Sequence, residues 1–77
     1  MTVEQLRAVH GATPFRPSTI HLADGRQLPV PHREFLSHSP SGRTMIVYHE
    51  DDTFSIIDLL PVTELEVHHG APSHAGK

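Results

Sequence analysis

The sequence predicts a mainly β domain in which one N-terminal helix precedes a small five-stranded antiparallel barrel. Three observations support this fold class: a helix-capping motif near the N-terminus, a hairpin in which apolar and polar residues alternate, and further short apolar runs separated by turn residues. A chain of 77 residues is long enough for one domain. We assign that domain to residues 1–67, with the strands between residues 18 and 67.

Residues 2–10 are predicted to form the helix. Thr2 and Gln5 have the spacing of a capping box, in which the hydroxyl accepts from a backbone amide and the Gln side chain bonds back. Apolar residues around Leu6 recur at helical spacing, and Gly11 is a suitable residue to end the helix. Because a helix of this length is unstable alone, we expect it to pack against the rest of the domain.

The clearest hairpin lies between Ser18 and Val30. Paired residues in a hairpin point to the same face, so the length of the loop decides which residues pair. A two-residue loop would place the apolar sets of the two arms on opposite faces. A three-residue loop that ends at Gly25 pairs Ile20 with Leu28 and keeps the sets together. This predicts a bulged turn with the glycine in the left-handed region.

The segment after this hairpin is predicted to be irregular. Pro29 and Pro31 cannot donate to a strand ladder, so the second arm is an edge strand that breaks near residue 31. Residues 31–43 are rich in turn-forming residues, and we expect Phe35 and Leu36 to anchor them to the core.

Three further segments complete the predicted domain. Residues 44–49 and 54–60 are apolar and are predicted to form a second hairpin around the acidic turn 50–52. Residues 63–67 alternate again and supply the last strand. The remaining residues, 68–77, are rich in Gly, Pro, Ser and His, which predicts a disordered tail.

The strands of the second hairpin differ from the others because they are apolar on both faces. Such strands are usually covered on both sides, and one short helix cannot cover them fully. Cysteine is absent, so disulfides cannot stabilise this small core. We therefore predict a homo-oligomer, or docking on a protein partner, through the apolar residues of this hairpin. The predicted partner surface is Val47, Tyr48, Ile57, Leu59 and Leu60.

Parity divides the apolar side chains of this hairpin between two faces but does not show which face the domain itself covers. The two predicted sets are Ile46, Tyr48, Ile57 and Leu59 on one face, and Val47, Ile56 and Leu60 on the other. Either assignment leaves several large apolar side chains for an interface with another chain.

Composition limits the classes of function. The formal net charge is −3, with six Lys and Arg against nine Asp and Glu, which argues against general coating of nucleic acids. Serine and histidine do not occur in a catalytic arrangement, so we predict a non-catalytic binding or scaffold module without a cofactor. The lack of cysteine suits a reducing cytoplasm, and no segment approaches the length of a membrane span.

Two groups of residues are candidates for ligand contact. Arg26, Arg33 and Arg43 lie in predicted loops and can contact an anion if these loops meet at one end of the barrel. Eight histidines make a metal-binding protein the second alternative function. However, five of them lie in separate segments without metal-ligand spacing, and the other three lie in the tail. We therefore assign no metal ligand.

The order of elements resembles the SH3-like and Sm-like small barrels, including Hfq-type RNA chaperones. The similar segments are residues 20–28, 45–48 and 56–62. This resemblance implies RNA binding as the first alternative function. In Hfq-type proteins a Lys-His pair near the end of the fourth strand helps to bind RNA, whereas Leu59 and Leu60 stand there in this chain and offer no donors.

The chain also resembles a group of short uncharacterised bacterial proteins that carry the same short motifs in the same order. The matching segments are Phe15–Pro17, His21–Arg26, Val30–His32, Ser39–Arg43 and Ile56–Leu59. This second resemblance implies no particular activity.

Overall fold

A computed structural model describes residues 1–68 of the chain. The elements are α1 (Val3–His10), β1 (Ser18–Leu22), β2 (Gln27–Val30), a 3-10 helix (Arg33–Phe35), β3 (Leu36–His38), β4 (Thr44–Tyr48), β5 (Phe54–Asp58) and β6 (Val62–Val67). No helix in this range is long and apolar enough to span a membrane. Of the predicted tail the range includes only His68, whose amide donates to the Pro17 carbonyl at 2.9 Å. The prediction for residues 69–77 lies outside the described residues.

Helix α1 begins and ends close to where the sequence predicts. The Thr2 hydroxyl accepts from the Gln5 amide at 3.2 Å, and the Thr2 amide donates to the Gln5 side chain at 3.0 Å, which completes the predicted capping box. Gly11 follows the helix with a φ of −92°, so it does not adopt the left-handed conformation that is common at helix ends. Instead Arg33 donates to the His10 carbonyl at 3.1 Å, where the helix dipole favours a cation.

The strands form two three-stranded antiparallel sheets, and the prediction of a five-stranded barrel is wrong. The first sheet has the order β2-β1-β6 and the second has the order β3-β4-β5, and neither closes on itself. The additional strand is β3, which lies in the segment predicted to be irregular and pairs Ser37 with Ile46. Pro31 and the 3-10 helix interrupt the chain between β2 and β3, so it passes between the sheets without a continuous ladder.

The first hairpin, β1–β2, has the predicted register. Ile20 pairs with Leu28, and the Leu22 amide donates to the Arg26 carbonyl at 2.9 Å around a three-residue loop. Gly25 ends this loop with a φ of 94°. The bulged turn that the parity argument predicts is therefore confirmed.

The core lies between the two sheets and is completed by α1. Leu6 is the buried residue of the helix, and the expected anchors Leu36 and Phe35 are buried and partly buried, respectively. The buried apolar residues form one cluster, which consists of Leu6, Ile20, Leu22, Leu28, Val30, Leu36, Met45, Val47, Ile57, Leu59 and Val62. Both sheets therefore direct one apolar face inward.

Helix α1 is also fixed to the loop between β3 and β4. Arg7 donates to the Pro40 carbonyl at 2.6 Å. Gly42 in this loop has a φ of 78°, and a Cβ atom at this position would lie 1.7 Å from Cγ2 of Val3. Both the backbone conformation and the available space therefore require glycine at this position.

Candidate functional site

The second hairpin, β4–β5, uses the same type of loop as the first. The His49 amide donates to the Thr53 carbonyl at 2.9 Å around the acidic residues 50–52. Asp52 ends the loop with a φ of 72°. It occupies the same loop position as Gly25 in the first hairpin. Because Asp tolerates the left-handed region better than most residues with a side chain, it can replace glycine here.

This loop sets the register of the hairpin and corrects one prediction. Ile46 pairs with Ile56, and Tyr48 pairs with Phe54, so these four side chains lie on one face. The predicted grouping of Ile46 with Ile57 is wrong, because a three-residue loop places residue 46 opposite residue 56.

The residues of the predicted partner surface occupy different environments. Val47, Ile57 and Leu59 are buried in the core. Tyr48 lies on the opposite face of β4, and Leu60 is 84% exposed in the turn after β5. Only two of the five are therefore accessible in the folded domain, and the accessible apolar surface has a different composition.

We define the outer face as the apolar surface formed by Ile46, Tyr48, Phe54 and Ile56. Tyr48 is 41% exposed, Phe54 57% and Ile56 65%, whereas Ile46 is half-buried. The ring centroids of Tyr48 and Phe54 lie 6.3 Å apart, within the usual range for an aromatic pair. A contiguous group of large exposed apolar side chains is typical of an interaction surface.

A groove of about 510 Å³ lies beside the outer face, and Tyr48 belongs to both. Its apolar wall comes from two prolines at the end of β2, one phenylalanine of the 3-10 helix and the tyrosine at the end of β4, while the loop after β4 supplies polar side chains. The lining residues are Pro29, Pro31, Phe35, Tyr48, His49, Glu50 and Asp51. We refer to this cleft as the groove. No single segment of the sequence identifies this groove, because the three segments that form it meet only in the folded domain.

One end of the groove is acidic. The Thr53 hydroxyl donates to Asp51 Oδ1 at 2.6 Å, and the Thr53 amide donates to the same oxygen at 3.1 Å. These hydrogen bonds stabilise the carboxylate and so hold the pKa of Asp51 below its ordinary value. The bond from the Thr53 hydroxyl has the larger effect on this pKa. Glu50 is exposed beside it. His49 is half-buried, and its Nε2 lies 2.9 Å from the Ser55 hydroxyl.

Comparisons with protein-family models, with curated proteins and with solved structures found no match. The resemblances to Sm-like proteins and to short bacterial proteins therefore stay predictions.

The three arginines predicted to contact an anion have different surroundings. Arg26 pairs with Asp24 in the first hairpin loop, with 2.9 Å between Nε and Oδ2. Arg33 binds the helix carbonyl of His10. Arg43 is exposed in the loop between β3 and β4. Two of the three guanidinium groups are therefore engaged in local structure.

The histidines are distributed over both sheets and the helix. His21 Nε2 donates to Glu66 at 2.8 Å on the outer side of the first sheet, and the rings of His10 and His38 lie 5.4 Å apart near the helix end. Within residues 1–68, no group of three or more His, Asp or Glu side chains is arranged to hold a metal ion. His69 and His74 lie outside that range.

Proposed function

We propose that this chain is a non-catalytic interaction domain that forms a homo-oligomer through the outer face and docks a protein partner. The observation that supports the homo-oligomer is the exposure of Tyr48, Phe54 and Ile56 on one side of the second hairpin. Full burial of a large apolar side chain contributes about 1.5–3 kcal/mol. Covering the outer face with a second copy therefore favours association.

The edge strand β5 supports self-association through the same hairpin. It pairs with β4 and forms one edge of the second sheet. Proteins commonly protect such edges with proline or lysine, and Phe54–Asp58 contains neither. By contrast, the edge strand β2 of the first sheet carries Pro29. A second copy can therefore also associate through the β5 edge, which borders the outer face.

Sedimentation velocity of the Ile56→Lys variant tests this proposal. Because Ile56 is exposed, a lysine there should leave the fold intact but place a charge in the interface. We expect wild-type protein to sediment as an oligomer at tens of micromolar and Ile56→Lys to sediment as a monomer with an unchanged circular dichroism spectrum.

The matched control is Gln27→Lys, which adds the same charge at an exposed position of β2. It should retain the oligomeric state of the wild type. A wild-type protein that is monomeric at tens of micromolar would contradict the proposal, and so would an Ile56→Lys variant that assembles like the wild type.

A further inference from the structure

The exposure of the groove wall favours an extended chain over a small molecule. Its volume of about 510 Å³ is within the range of roughly 300–1,000 Å³ found for ligand clefts. However, Pro29, Tyr48, Glu50 and Asp51 are exposed, so the groove is open to solvent along much of its wall. A small ligand would remain largely hydrated there, whereas a peptide can make further contacts outside the groove.

The prolines determine how such a chain can be recognised. Pro29 and Pro31 have no backbone N–H, so this part of the wall cannot donate the regular hydrogen bonds of an added strand. Their rings, together with Phe35 and Tyr48, instead form an apolar surface of low conformational entropy. Recognition must therefore depend on an apolar side chain of the partner.

The acidic end specifies the charge of the partner. Glu50 and Asp51 line the groove, whereas none of the five arginines, all of which lie within residues 1–68, does. Both hydrogen bonds from Thr53 reach Oδ1 of Asp51, and within residues 1–68 no salt bridge engages Glu50 or Asp51. Two neighbouring carboxylates favour a guanidinium or ammonium group and repel phosphate.

We infer that the groove docks an extended segment of a partner protein in which an apolar side chain adjoins an arginine or lysine. The apolar side chain lies against Pro29, Pro31 and Phe35, and the cation lies between the carboxylates of Glu50 and Asp51. This inference deepens the partner-docking part of the proposed function. It does not require self-association, because Ile56 does not line the groove.

A peptide titration followed by 1H–15N correlation spectra of the whole chain tests the inference. The probe is the blocked pentapeptide acetyl-Gly-Leu-Phe-Arg-Gly-amide. The two control peptides carry Glu in place of Arg, or Ala in place of both Leu and Phe. We expect saturable shifts at the amides of Phe35, Tyr48, Glu50 and Asp51 with the first peptide and much weaker ones with either control.

Variants of the acidic end make the test specific. Asp51→Asn should weaken binding by about two- to fivefold, which is the range expected for loss of an exposed ion pair. Glu50→Lys should weaken binding by about five- to tenfold, because it adds a repulsive charge as well as removing an attractive one. Glu64→Lys reverses the charge of an exposed residue on β6 and should bind like the wild type. Raising the salt from about 50 to 500 mM should weaken binding because exposed charges become screened.

Several results would overturn the inference. One is equal binding of the Arg and Glu peptides, and another is an absence of saturable shifts at millimolar peptide. A third is a shift of the Phe35, Glu50 and Asp51 amides with protein concentration in the Ile56→Lys variant, which should not associate through the outer face; this would identify a second copy as the occupant of the groove. Tighter binding of a single-stranded oligonucleotide than of the Arg peptide would also overturn it. The Ile56→Lys variant should bind the Arg peptide at least as tightly as the wild type, because Tyr48 belongs to both surfaces and is freed when the oligomer dissociates. Failure of self-association and failure of the groove are therefore distinguishable.

Discussion

The first and second hairpins are built around the same loop geometry. Each loop has three residues, and the third has a positive φ: 94° at Gly25 and 72° at Asp52. In each loop an aspartate at the middle position, Asp24 or Asp51, accepts a hydrogen bond from the amide two residues ahead, at 3.0 and 3.1 Å. Local sequence therefore produces two nearly identical turns.

The outer faces of the two hairpins are nevertheless opposite in character. The first presents Thr19, His21, Gln27 and Pro29. The second presents the apolar outer face defined above. Since the two loops are alike, loop geometry does not determine which surface is left for a partner. The composition of the outward positions determines it, and large apolar side chains at those positions are typical of a surface that another chain covers.

The largest expected effect comes from two adjacent residues of β5. Ile57 is buried and Ile56 is exposed, so a lysine should act differently at each position. Ile57→Lys loses apolar burial and places an unpaired charge in the core, which should cost more than about 3 kcal/mol of unfolding free energy. Urea denaturation should show Ile57→Lys unfolded or nearly so and Ile56→Lys folded. Equal midpoints for the two variants would contradict the register of the second hairpin.

A smaller effect is expected at the third position of the first loop. The Gly25→Val variant forces a β-branched residue to a φ of 94°, which should cost roughly 1–3 kcal/mol. No heavy atom lies within 4 Å of the added Cβ, so backbone strain is the cause. Asp24→Asn in the same loop should be nearly silent in thermal denaturation. Wild-type stability in Gly25→Val would show that the bulged turn is absent.

These two loops also show how far the fold was predictable from the sequence. Parity and loop length correctly predict that Ile20 pairs with Leu28. The same argument, applied to the acidic turn 50–52, places Ile46 opposite Ile56 and would have identified the outer face. Strand β3 could not be recognised, because its three residues are too few to show alternation and depend on pairing with β4.

The groove could not be predicted for a different reason. Its lining comes from Pro29 and Pro31, from Phe35 and from the segment 48–51. Each group alone has an ordinary explanation, as an edge strand, an anchor and a hairpin turn. Only the packing of the two sheets brings them together, so no sequence spacing identifies the site.

Replacing the third residue of the second loop sharpens the comparison of the turns. Asp52→Gly places at 52 the residue type that the first hairpin already uses. It should raise the unfolding free energy by up to about 1 kcal/mol, because glycine adopts this φ without strain. Thermal denaturation measures this difference. The reverse change in the first loop, Gly25→Asp, should lower the unfolding free energy. A destabilised Asp52→Gly variant would show that the Asp52 side chain contributes more than the strain it causes.

The smallest expected effect is a dependence of stability on pH that both loops share. The amide and then the guanidinium of Arg26 lower the pKa of Asp24, and the hydroxyl and amide of Thr53 lower that of Asp51. A carboxylate whose pKa is lowered by folding stabilises the folded state when the pH is above 3.8, the ordinary pKa of aspartate. This contribution is lost as the pH falls through the lower pKa of the folded state. The wild type should therefore lose more stability below pH 3.8 than the double variant Asp24→Asn/Asp51→Asn. Parallel acid denaturation curves for the two proteins would contradict this.

The central claim is that the outer face of the second hairpin, and not that of the first, is covered by a second copy of the chain. Isotope-filtered nuclear Overhauser spectra of a mixture of labelled and unlabelled protein test it directly. We expect intermolecular signals at the side chains of Phe54, Ile56 and Ile46 and none at Thr19 or Gln27. Intermolecular signals confined to the first hairpin, or their absence at hundreds of micromolar protein, would contradict the account.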